Sequence, residues 1–487
     1  MSKTLLFIAA TLILTLQAAS AVRQTTPKRI VLNDCQLEGV QGKARCGSLE
    51  VYENRATKKG RKISLNIVVL AATGEKREPD PLIYFAGGPG EAATLDALKN
   101  REAFAPIREH RDLLFVDQRG TGGSRPLFCE FYNSADPQSY LGYFFPLDDV
   151  SKCRLRLEDK ADLTLYTTDI AIQDMDEVRA ALGYEQLNLF GSSYGTRAAL
   201  TYLKRYPQHV RTAILQGVAP PNSYMPSDFP QSMDRALQGV IAECAGDEPC
   251  NKAFPNLKEE VKSALAQFIK GPVEVEVELP TTRNRVKVKL SRDLFAEAIR
   301  YMLYNPGAAA QVPLAIHLAA QGNLSYVAKN ALMYRMFLVA SGSNGMYLTV
   351  TCAEDLPFIK PGEGERLAAN TFLGDYRLRQ QREACLLWPR AKVESDYADP
   401  VRSDVPVLIL SGSLDPVTPP SNGDAVAKTL PNSLHVVVPH GAHGFGGLEN
   451  VDCIVRIITD FVQSGTTKGV DSACVQTMRR KGFALKL

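Results

Sequence analysis

The clearest evidence for the fold of this chain is the segment LNLFGSSYGTRAALTYLKRY at 187–206. Its apolar start at 187–190 is typical of a buried strand, and the apolar residues from 196 to 206 recur at helical spacing. Between them, the pattern Gly-x-Ser-x-Gly at 191–195 fits a sharp turn, because its glycines let a strand and a helix pass closely. We predict that this turn exposes the hydroxyl of Ser193 at a helix N-terminus, where backbone N–H groups can receive an oxyanion.

Seven apolar, β-branched runs predict buried strands, and helical patterns lie between several of them. Alternating strands and helices are typical of a mostly parallel sheet in the α/β class. The predicted strands are 63–70, 82–85, 113–116, 187–190, 212–215, 407–410 and 434–438.

The alternation of strands and helices stops after the proline pair at 220–221. From 222 to 395 the patterns are mainly helical, with one charged, alternating stretch at 273–290. We interpret 222–395 as a lid inserted between two parts of the core, at 22–221 and 396–487. Because long insertions at the carboxyl ends of α/β strands cover the ligand crevice, the lid is expected to set substrate selectivity.

The first 21 residues of this 487-residue chain have the pattern of an export signal. Lys3 precedes an apolar stretch at 5–16, and Ala-Ser-Ala at 19–21 is a small-residue cleavage site. The apolar stretch is too short to predict a stable membrane anchor. We therefore expect an exported protein, either periplasmic or secreted.

The charge balance and the glycine pattern argue against several partners. The net charge is only +3, so we expect neither nucleic acid nor an anionic membrane as partner. The glycines of DQRGTGGS at 117–124 lack the spacing of a dinucleotide-binding loop. We interpret that segment as a turn held by Asp117 and Arg119, and we expect no cofactor.

Ten cysteines form an even set without any Cys-x-x-Cys spacing. In an exported protein such a set is expected to form disulfides, with buried free thiols as the alternative. Sequence does not fix the connectivity, but the spacing favours bridges between neighbours in order. The favoured bridges are Cys35–Cys46, Cys129–Cys153, Cys244–Cys250, Cys352–Cys385 and Cys453–Cys474.

A serine hydroxyl becomes a good nucleophile only beside an imidazole base that a carboxylate orients. Asp415 lies in a turn directly after one predicted strand, and His443 follows the next strand among small residues. Ser193, Asp415 and His443 therefore fall in the order Ser, Asp, His that this type of fold requires. His440 is the alternative base, and a metal site at the two histidines would need further ligands at fitting spacing.

Two backbone amides are expected to form an oxyanion hole. One belongs to Tyr194, the residue after the nucleophile, and the other to the loop AGGPG at 86–90. Paired glycines let an amide approach a developing oxyanion closely, and we favour Gly88, with Gly87 as the alternative.

These motifs together resemble the prolyl iminopeptidase and tripeptidyl aminopeptidase family of α/β-hydrolase serine peptidases. The resemblance runs from about Cys35 to the C-terminus and is strongest at 167–220 and 405–445. It is carried by Gly-Gly-Pro-Gly at 87–90, Asp-Gln-Arg-Gly at 117–120, Gly-x-Ser-Tyr-Gly at 191–195, Asp415 and His443.

The resemblance implies an α/β-hydrolase fold, with a mostly parallel sheet, helices on both faces and a large, mainly helical inserted lid. It implies a tripeptidyl aminopeptidase-like C-terminal region within 396–487. The implied activity is release of one or a few residues from free peptide N-termini through an acyl-enzyme. Ala86 stands where prolyl iminopeptidases usually have histidine, and Gln216 precedes Gly217 where the family often has aspartate. These departures affect the expected substrate rather than the reaction.

An exopeptidase must distinguish a free ammonium from a blocked one, and a fixed carboxylate is the simplest means. Glu354 and Asp355 follow Cys352, and the resemblance includes an acidic pair after a cysteine near this point. We therefore expect these two residues to bind the ammonium group of a peptide substrate, with a solvated acidic loop as the alternative. Two other functions stay open at this point, a carboxylesterase with the same catalytic residues and a non-catalytic binding protein.

Overall fold

The computed structural model of this protein describes residues 29–37, 44–100, 102–279 and 282–486. The predicted export signal at 1–21 lies outside these residues. Within them the strands are β1 Asn33–Cys35, β2 Ala44–Asn54, β3 Lys59–Leu70, β4 Leu82–Phe85, β5 Leu113–Val116, β6 Leu187–Ser192, β7 Val210–Gln216, β8 Val273–Glu278, β9 Arg285–Leu290, β10 Val407–Gly412 and β11 Ser433–Val438.

The helices of the described residues fall into two groups, one that accompanies the main sheet and one that lies between β7 and β10 in the chain. None of these helices is long and apolar enough to cross a membrane. The first group is α1 Ala93–Asn100, α2 Ala105–Arg108, α3 Pro137–Tyr140, α4 Leu147–Glu158, α5 Thr168–Leu182, α6 Tyr194–Arg205, α17 Pro420–Ala427 and α18 Asp452–Ser464. The second is α7 Phe229–Gly246, α8 Glu248–Ala253, α9 Leu257–Ala266, α10 Arg292–Met302, α11 Pro306–Ala309, α12 Val312–Ala320, α13 Ser325–Ser341, α14 Asn344–Glu354, α15 Glu363–Ala368 and α16 Tyr376–Leu386.

The main sheet has nine strands in the described part of the chain, in the order β1-β2-β3-β5-β4-β6-β7-β10-β11. The six strands from β5 onward in that order pair in parallel. The other three extend the sheet by antiparallel pairing. Every residue of β4 and β5 is buried, as expected for strands covered on both faces. The prediction of a mostly parallel α/β sheet is confirmed.

The sequence patterns do not predict β2. Its buried residues alternate with charged and exposed ones, such as Glu50 between Leu49 and Val51. It therefore lacks the continuous apolar run that marks the central strands.

Helices cover both faces of the sheet. On one face α5 and α6 pack against the strands, and Ile172 and Leu200 are among the buried residues. On the other face α18 contributes Phe461. Successive side chains of a strand point to opposite faces of the sheet. Leu189 of β6 therefore packs in the core beside α5 and α6, and Phe190 packs in the core beside α18.

Most of the chain between β7 and β10 packs around a hydrophobic core of its own, which joins α7, α10, α12 and α13. Its last part packs differently, because Met346 and Leu348 on α14 and Cys385 on α16 belong to the core against the main sheet. The lid bounds 222–395 stay a prediction. The charged stretch at 273–290 forms an antiparallel hairpin of β8 and β9.

The structure pairs the cysteines of the described residues in sequence order, as predicted, and leaves none of them free. One of these bridges joins α14 to α16 within the chain segment that follows β7. The bridges are Cys35–Cys46, Cys129–Cys153, Cys244–Cys250, Cys352–Cys385 and Cys453–Cys474.

The glycine-rich segment at 117–124 is a buried structural turn. The Asp117 carboxylate accepts hydrogen bonds from the backbone N–H and the hydroxyl of Thr94. Arg119 does not pair with Asp117. It donates instead to both carboxylate oxygens of Asp174 on α5, at 2.6 and 2.9 Å. The turn is therefore held by Asp117 and Arg119, as predicted, and each residue anchors it to a different element.

Candidate active site

Ser193 lies between the last residue of β6 and the first residue of α6. Its φ of +56° and ψ of −125° are strained for a residue with a side chain. A Cβ atom at Gly195 would collide with the Phe85 carbonyl, and one at Gly191 with the Gly195 carbonyl. The two glycines of the motif are therefore required for the close passage of strand and helix that presents Ser193.

Asp415 and His443 meet at the carboxyl ends of β10 and β11. The Nδ1 atom of His443 lies 2.9 Å from Oδ2 of Asp415. The second oxygen, Oδ1, accepts the backbone N–H groups of Val417 and Thr418 at 2.8 and 2.9 Å, and the Thr418 hydroxyl donates to Oδ2 at 2.7 Å. Because an ionised carboxylate only accepts, the arrangement places a proton on Nδ1 and leaves Nε2 of the neutral ring as an acceptor.

The surroundings of this pair shift both pKa values toward the charged forms. Burial would raise the pKa of Asp415, but the charge of His443 and hydrogen bonds from His443 and Thr418 hold it below its ordinary value. Burial would lower the pKa of His443, but the charge and hydrogen bond of Asp415 and the charge of Glu91 raise it above 6.5. The pair therefore makes the imidazole more basic, which favours its taking a proton as a general base does.

The turn that contains Asp415 is also held by hydrogen bonds from helix α7. Arg235 on α7 donates to the carbonyl oxygens of Ser413 and Asp415. The same helix supplies the partner of His440, whose Nδ1 lies 2.8 Å from Oε1 of Glu243. Among the described residues, His440 is not part of the cavity lining that contains His443.

Ser193 and His443 line one cavity of about 240 Å³. Aromatic side chains from the segment between β7 and β10, among them Tyr301, Tyr304 and Tyr334, form much of its wall. The ring of Tyr304 meets the His443 ring edge to face, with 5.2 Å between the ring centroids. The volume is near the lower end of the roughly 300–1,000 Å³ of small-ligand pockets, so it suits a short segment of substrate.

The glycine loop that is predicted to supply one oxyanion amide borders this cavity. Gly87 and Gly88 line it, and Gly88 has a φ of +102°, which favours glycine. A Cβ atom at Gly87 would lie 3.3 Å from the Cβ atom of Ser193, so the loop passes directly beside the serine. Tyr194 is the first residue of α6, where the backbone N–H has no carbonyl one turn earlier to bind.

Two family models match this chain. The model described as "alpha/beta hydrolase fold" matches residues 80–256, and the model described as "TAP-like protein" matches residues 370–474. The first match contains the loop at 86–90 and Ser193, and the second contains Asp415 and His443. The chain is an α/β-hydrolase, and it resembles the prolyl iminopeptidase and tripeptidyl aminopeptidase family.

Several named relatives of this hydrolase are peptidases. Serine protease Hip1 of Mycobacterium tuberculosis is 26% identical over 478 residues, which cover 89% of this chain and 88% of the relative. Tripeptidyl aminopeptidase of Streptomyces lividans is 28% identical over 225 residues, 42% of this chain and 41% of the relative. A crystal structure of proline iminopeptidase from Mycobacterium smegmatis covers 86% of this chain and 98% of its own, at 15% identity and a TM-score of 0.41.

The structure corrects the expectation that Glu354 and Asp355 bind substrate in this hydrolase. Both are fully buried, and neither is among the residues that line the cavity. Glu354 accepts the backbone N–H and hydroxyl of Thr168 at 2.6 and 2.7 Å. Asp355 accepts a hydrogen bond from Nη2 of Arg197 at 2.9 Å. These carboxylates therefore belong to a buried network that joins α14 to α5 and α6.

Three charged residues that belong to none of the sequence motifs line the cavity of the hydrolase. Glu91, directly after the glycine loop at 87–90, is the acidic residue among the described lining residues. Its position next to that loop is a signal that sequence could have used. Arg300 on α10 and Arg377 on α16 line the same cavity, but no local pattern connects residues on two helices so far apart in the chain.

Proposed function

We propose that this hydrolase is an exported serine aminopeptidase that acts through an acyl-enzyme, with Ser193 as nucleophile, His443 as general base and Asp415 as the group that orients it. The observation that carries this proposal is the 2.9 Å contact between His443 and Asp415 at the rim of a cavity that Ser193 also lines. The peptidase names of the relatives support the choice of a peptide substrate.

The reaction follows from these positions. The Ser193 hydroxyl attacks the carbonyl carbon of the scissile bond while Nε2 of His443 takes its proton. The oxyanion is stabilised by the backbone N–H groups of Tyr194 and Gly88. His443 then gives the proton to the leaving amine, the C–N bond breaks, and the acyl group stays on Ser193. A water molecule, deprotonated by His443, attacks the ester and releases the N-terminal fragment with regeneration of Ser193.

A carboxylate inside the cavity is the simplest means of recognising a free N-terminus, and we assign that role to Glu91. It lines the cavity with Ser193 and His443, and its charge acts on the pKa of His443. A carboxylate in the same cavity as Ser193 suits release of one or a few residues, because the ammonium group and the scissile bond then lie within one small cavity.

Export is supported by the five disulfides, because such bridges persist in oxidising compartments. The signal pattern at 1–21 supports the same conclusion.

The decisive experiment compares one short alanine- or proline-containing chromogenic peptide in free-amine and N-acetylated forms with a short-chain acyl ester. The Ser193→Ala variant serves as the blank. Cleavage of the free-amine peptide alone is the expected result. Cleavage of the ester alone would identify a carboxylesterase with the same catalytic residues, and no turnover of any substrate would favour a binding protein.

A further inference from the structure

Two arginines from different helices of the lid region meet at the wall of the cavity. Arg300 lies on α10 and Arg377 on α16, and they are 1% and 4% exposed. Both line the cavity that contains Ser193 and His443. An arginine side chain stays protonated even in such surroundings, so the cavity wall carries two buried positive charges.

Among the described residues, Glu297 is the carboxylate that lies beside both arginines, and Arg300 takes up both of its oxygens. Arg300 donates from Nε and Nη2 to the two oxygens of Glu297 at 2.9 and 2.7 Å, a bidentate pairing. Nη1 of Arg377 is 3.6 Å from the nearer Glu297 oxygen, beyond hydrogen-bond distance. Burial would raise the pKa of Glu297, but the charges of the two arginines lower it to about 2. Glu297 therefore contributes one full negative charge.

Arg377 is left with unused hydrogen-bond donors. Its Nε and Nη1 atoms are buried and have no hydrogen-bond partner among the described residues. Nη2 donates a long hydrogen bond of 3.4 Å to the Tyr347 hydroxyl. The guanidinium carbon lies 3.5 Å from the centre of the Phe144 ring, which holds the group by a cation–π contact. A ring face offers no acceptor for the remaining N–H groups.

Burying charged hydrogen-bond donors without partners is costly, and such donors in native proteins ordinarily bind something. Nε and Nη1 lie on different edges of the guanidinium, so each can donate its own N–H group to an oxygen of a carboxylate. The excess positive charge of the pair over Glu297 favours an anion over a neutral acceptor.

We infer that Arg377, supported by Arg300, forms a carboxylate subsite in the cavity, and that the enzyme prefers peptide substrates that bring a carboxylate there. This inference rests on the proposed aminopeptidase activity. The carboxylate has two possible sources, an aspartate or glutamate side chain near the N-terminus of the substrate or the C-terminal carboxylate of a short peptide. With Glu91 on the same cavity, the site offers opposite charges to the ammonium and carboxylate groups of one short substrate.

The first test uses the wild-type enzyme and substrates that differ only in charge. Tripeptide anilides with a free N-terminus place Glu or Gln at each position in turn, which tests the side-chain source. Tripeptides with a free or amidated C-terminus test the other source. We expect kcat/KM for the charged member of one set to exceed that of its neutral partner by about 10- to 100-fold, the effect of a charge-assisted hydrogen bond. Equal rates in both sets would overturn the subsite.

The second test removes the charge. Arg377→Gln should reduce the preferred substrate's advantage toward unity, and Arg377→Lys should restore part of it. The matched control is Arg379→Gln on the same helix, whose side chain is about half exposed and is not among the described lining residues. A charge preference that is the same in Arg377→Gln as in the wild type would contradict the assignment.

A third measurement separates failure of the subsite from failure of the proposed function. A fluorophosphonate probe labels an activated serine whether or not peptides are cleaved, so labelling of Ser193 can be followed with glutarate or glutaramide as protectant. Protection by glutarate, but not by glutaramide, in wild type and its loss in Arg377→Gln would support the subsite even in an esterase. Equal protection by the two compounds, or none by either, would overturn it.

Discussion

Nδ1 of His443 lies 2.9 Å from Oδ2 of Asp415, although 28 residues of sequence separate them. The two residues follow β10 and β11, which are adjacent and parallel. Since parallel strands end at the same edge of a sheet, the turns after them meet, and that edge also contains the turn with Ser193 after β6. The sheet therefore brings together side chains that are far apart in the sequence.

Replacement of Ser193 by alanine should remove the nucleophile and reduce kcat for the preferred peptide by about 10⁴- to 10⁶-fold, because catalytic groups of this kind act as a unit. Steady-state kinetics with a chromogenic peptide measure the loss. The adjacent serine gives a matched control, and Ser192→Ala should retain most activity. Comparable losses in both variants would argue against Ser193 as the single nucleophile.

The two neighbouring histidines should differ sharply in their effect. His443→Ala removes the base beside Asp415, and we expect a loss of kcat of about 10⁴-fold or more. His440→Ala breaks a contact with Glu243 that lies outside the cavity lining, so kcat should change little. Retained activity in His443→Ala together with an inactive His440→Ala would transfer the base role to His440.

The pH profile should report the raised pKa of His443. Only the neutral imidazole can accept the serine proton, so kcat/KM should rise with pH through that pKa, with the midpoint above 6.5. Asp415→Asn removes the charge that raises the pKa, so the midpoint should move to lower pH and the plateau should fall. Asp424→Asn, which removes the carboxylate beside His435, is the control and should leave the profile unchanged. An unshifted midpoint in Asp415→Asn would contradict the assignment.

Substitution of Glu91 should change substrate recognition, whereas substitution of Glu354 should change stability. Glu91→Gln should reduce the preference for free-amine over N-acetylated peptides about tenfold, because an ion pair with the ammonium group is lost. Glu354→Gln should leave that preference intact and lower the free energy of unfolding by about 1–3 kcal/mol, since buried donors of Thr168 lose a charged acceptor. Kinetics and urea unfolding of both variants measure the two effects, and the reverse result would restore the sequence-based assignment of Glu354.

The five bridges predict that the mature protein, denatured without a reductant, contains no free thiols. Titration with a thiol reagent counts them directly, and the reduced protein should give ten as the control. More than two free thiols in the unreduced sample would be incompatible with the five-bridge arrangement.

Local sequence patterns were sufficient where a short stretch determines the structure. The runs at 82–85 and 113–116 are β4 and β5 with the same bounds, because a strand buried on both faces needs an uninterrupted apolar run. The alternation of β2 gave no such run. The order of the disulfides was also predictable, since each bridge closes a segment whose ends the chain already keeps close.

Burial of charged groups was beyond the reach of these patterns. The acidic pair at 354–355 follows a cysteine as the family resemblance implied, yet Arg197 from α6 and Thr168 from α5 enclose it. Sequence shows neither which distant cation will meet a carboxylate nor whether water is excluded from both. The assignment of these residues to substrate binding failed for that reason.

Short sequence patterns were enough to predict the turn at Ser193, the mostly parallel sheet and the place of Asp415 and His443 in the strand order, because glycine requirements and apolar periodicity act over a few residues. Which charged side chains face the cavity depends instead on how distant parts of the chain pack together. Glu91 and Arg377 line the cavity, whereas Glu354 is buried away from it. The reason is that the packing of separate helices sets which charged groups reach the cavity.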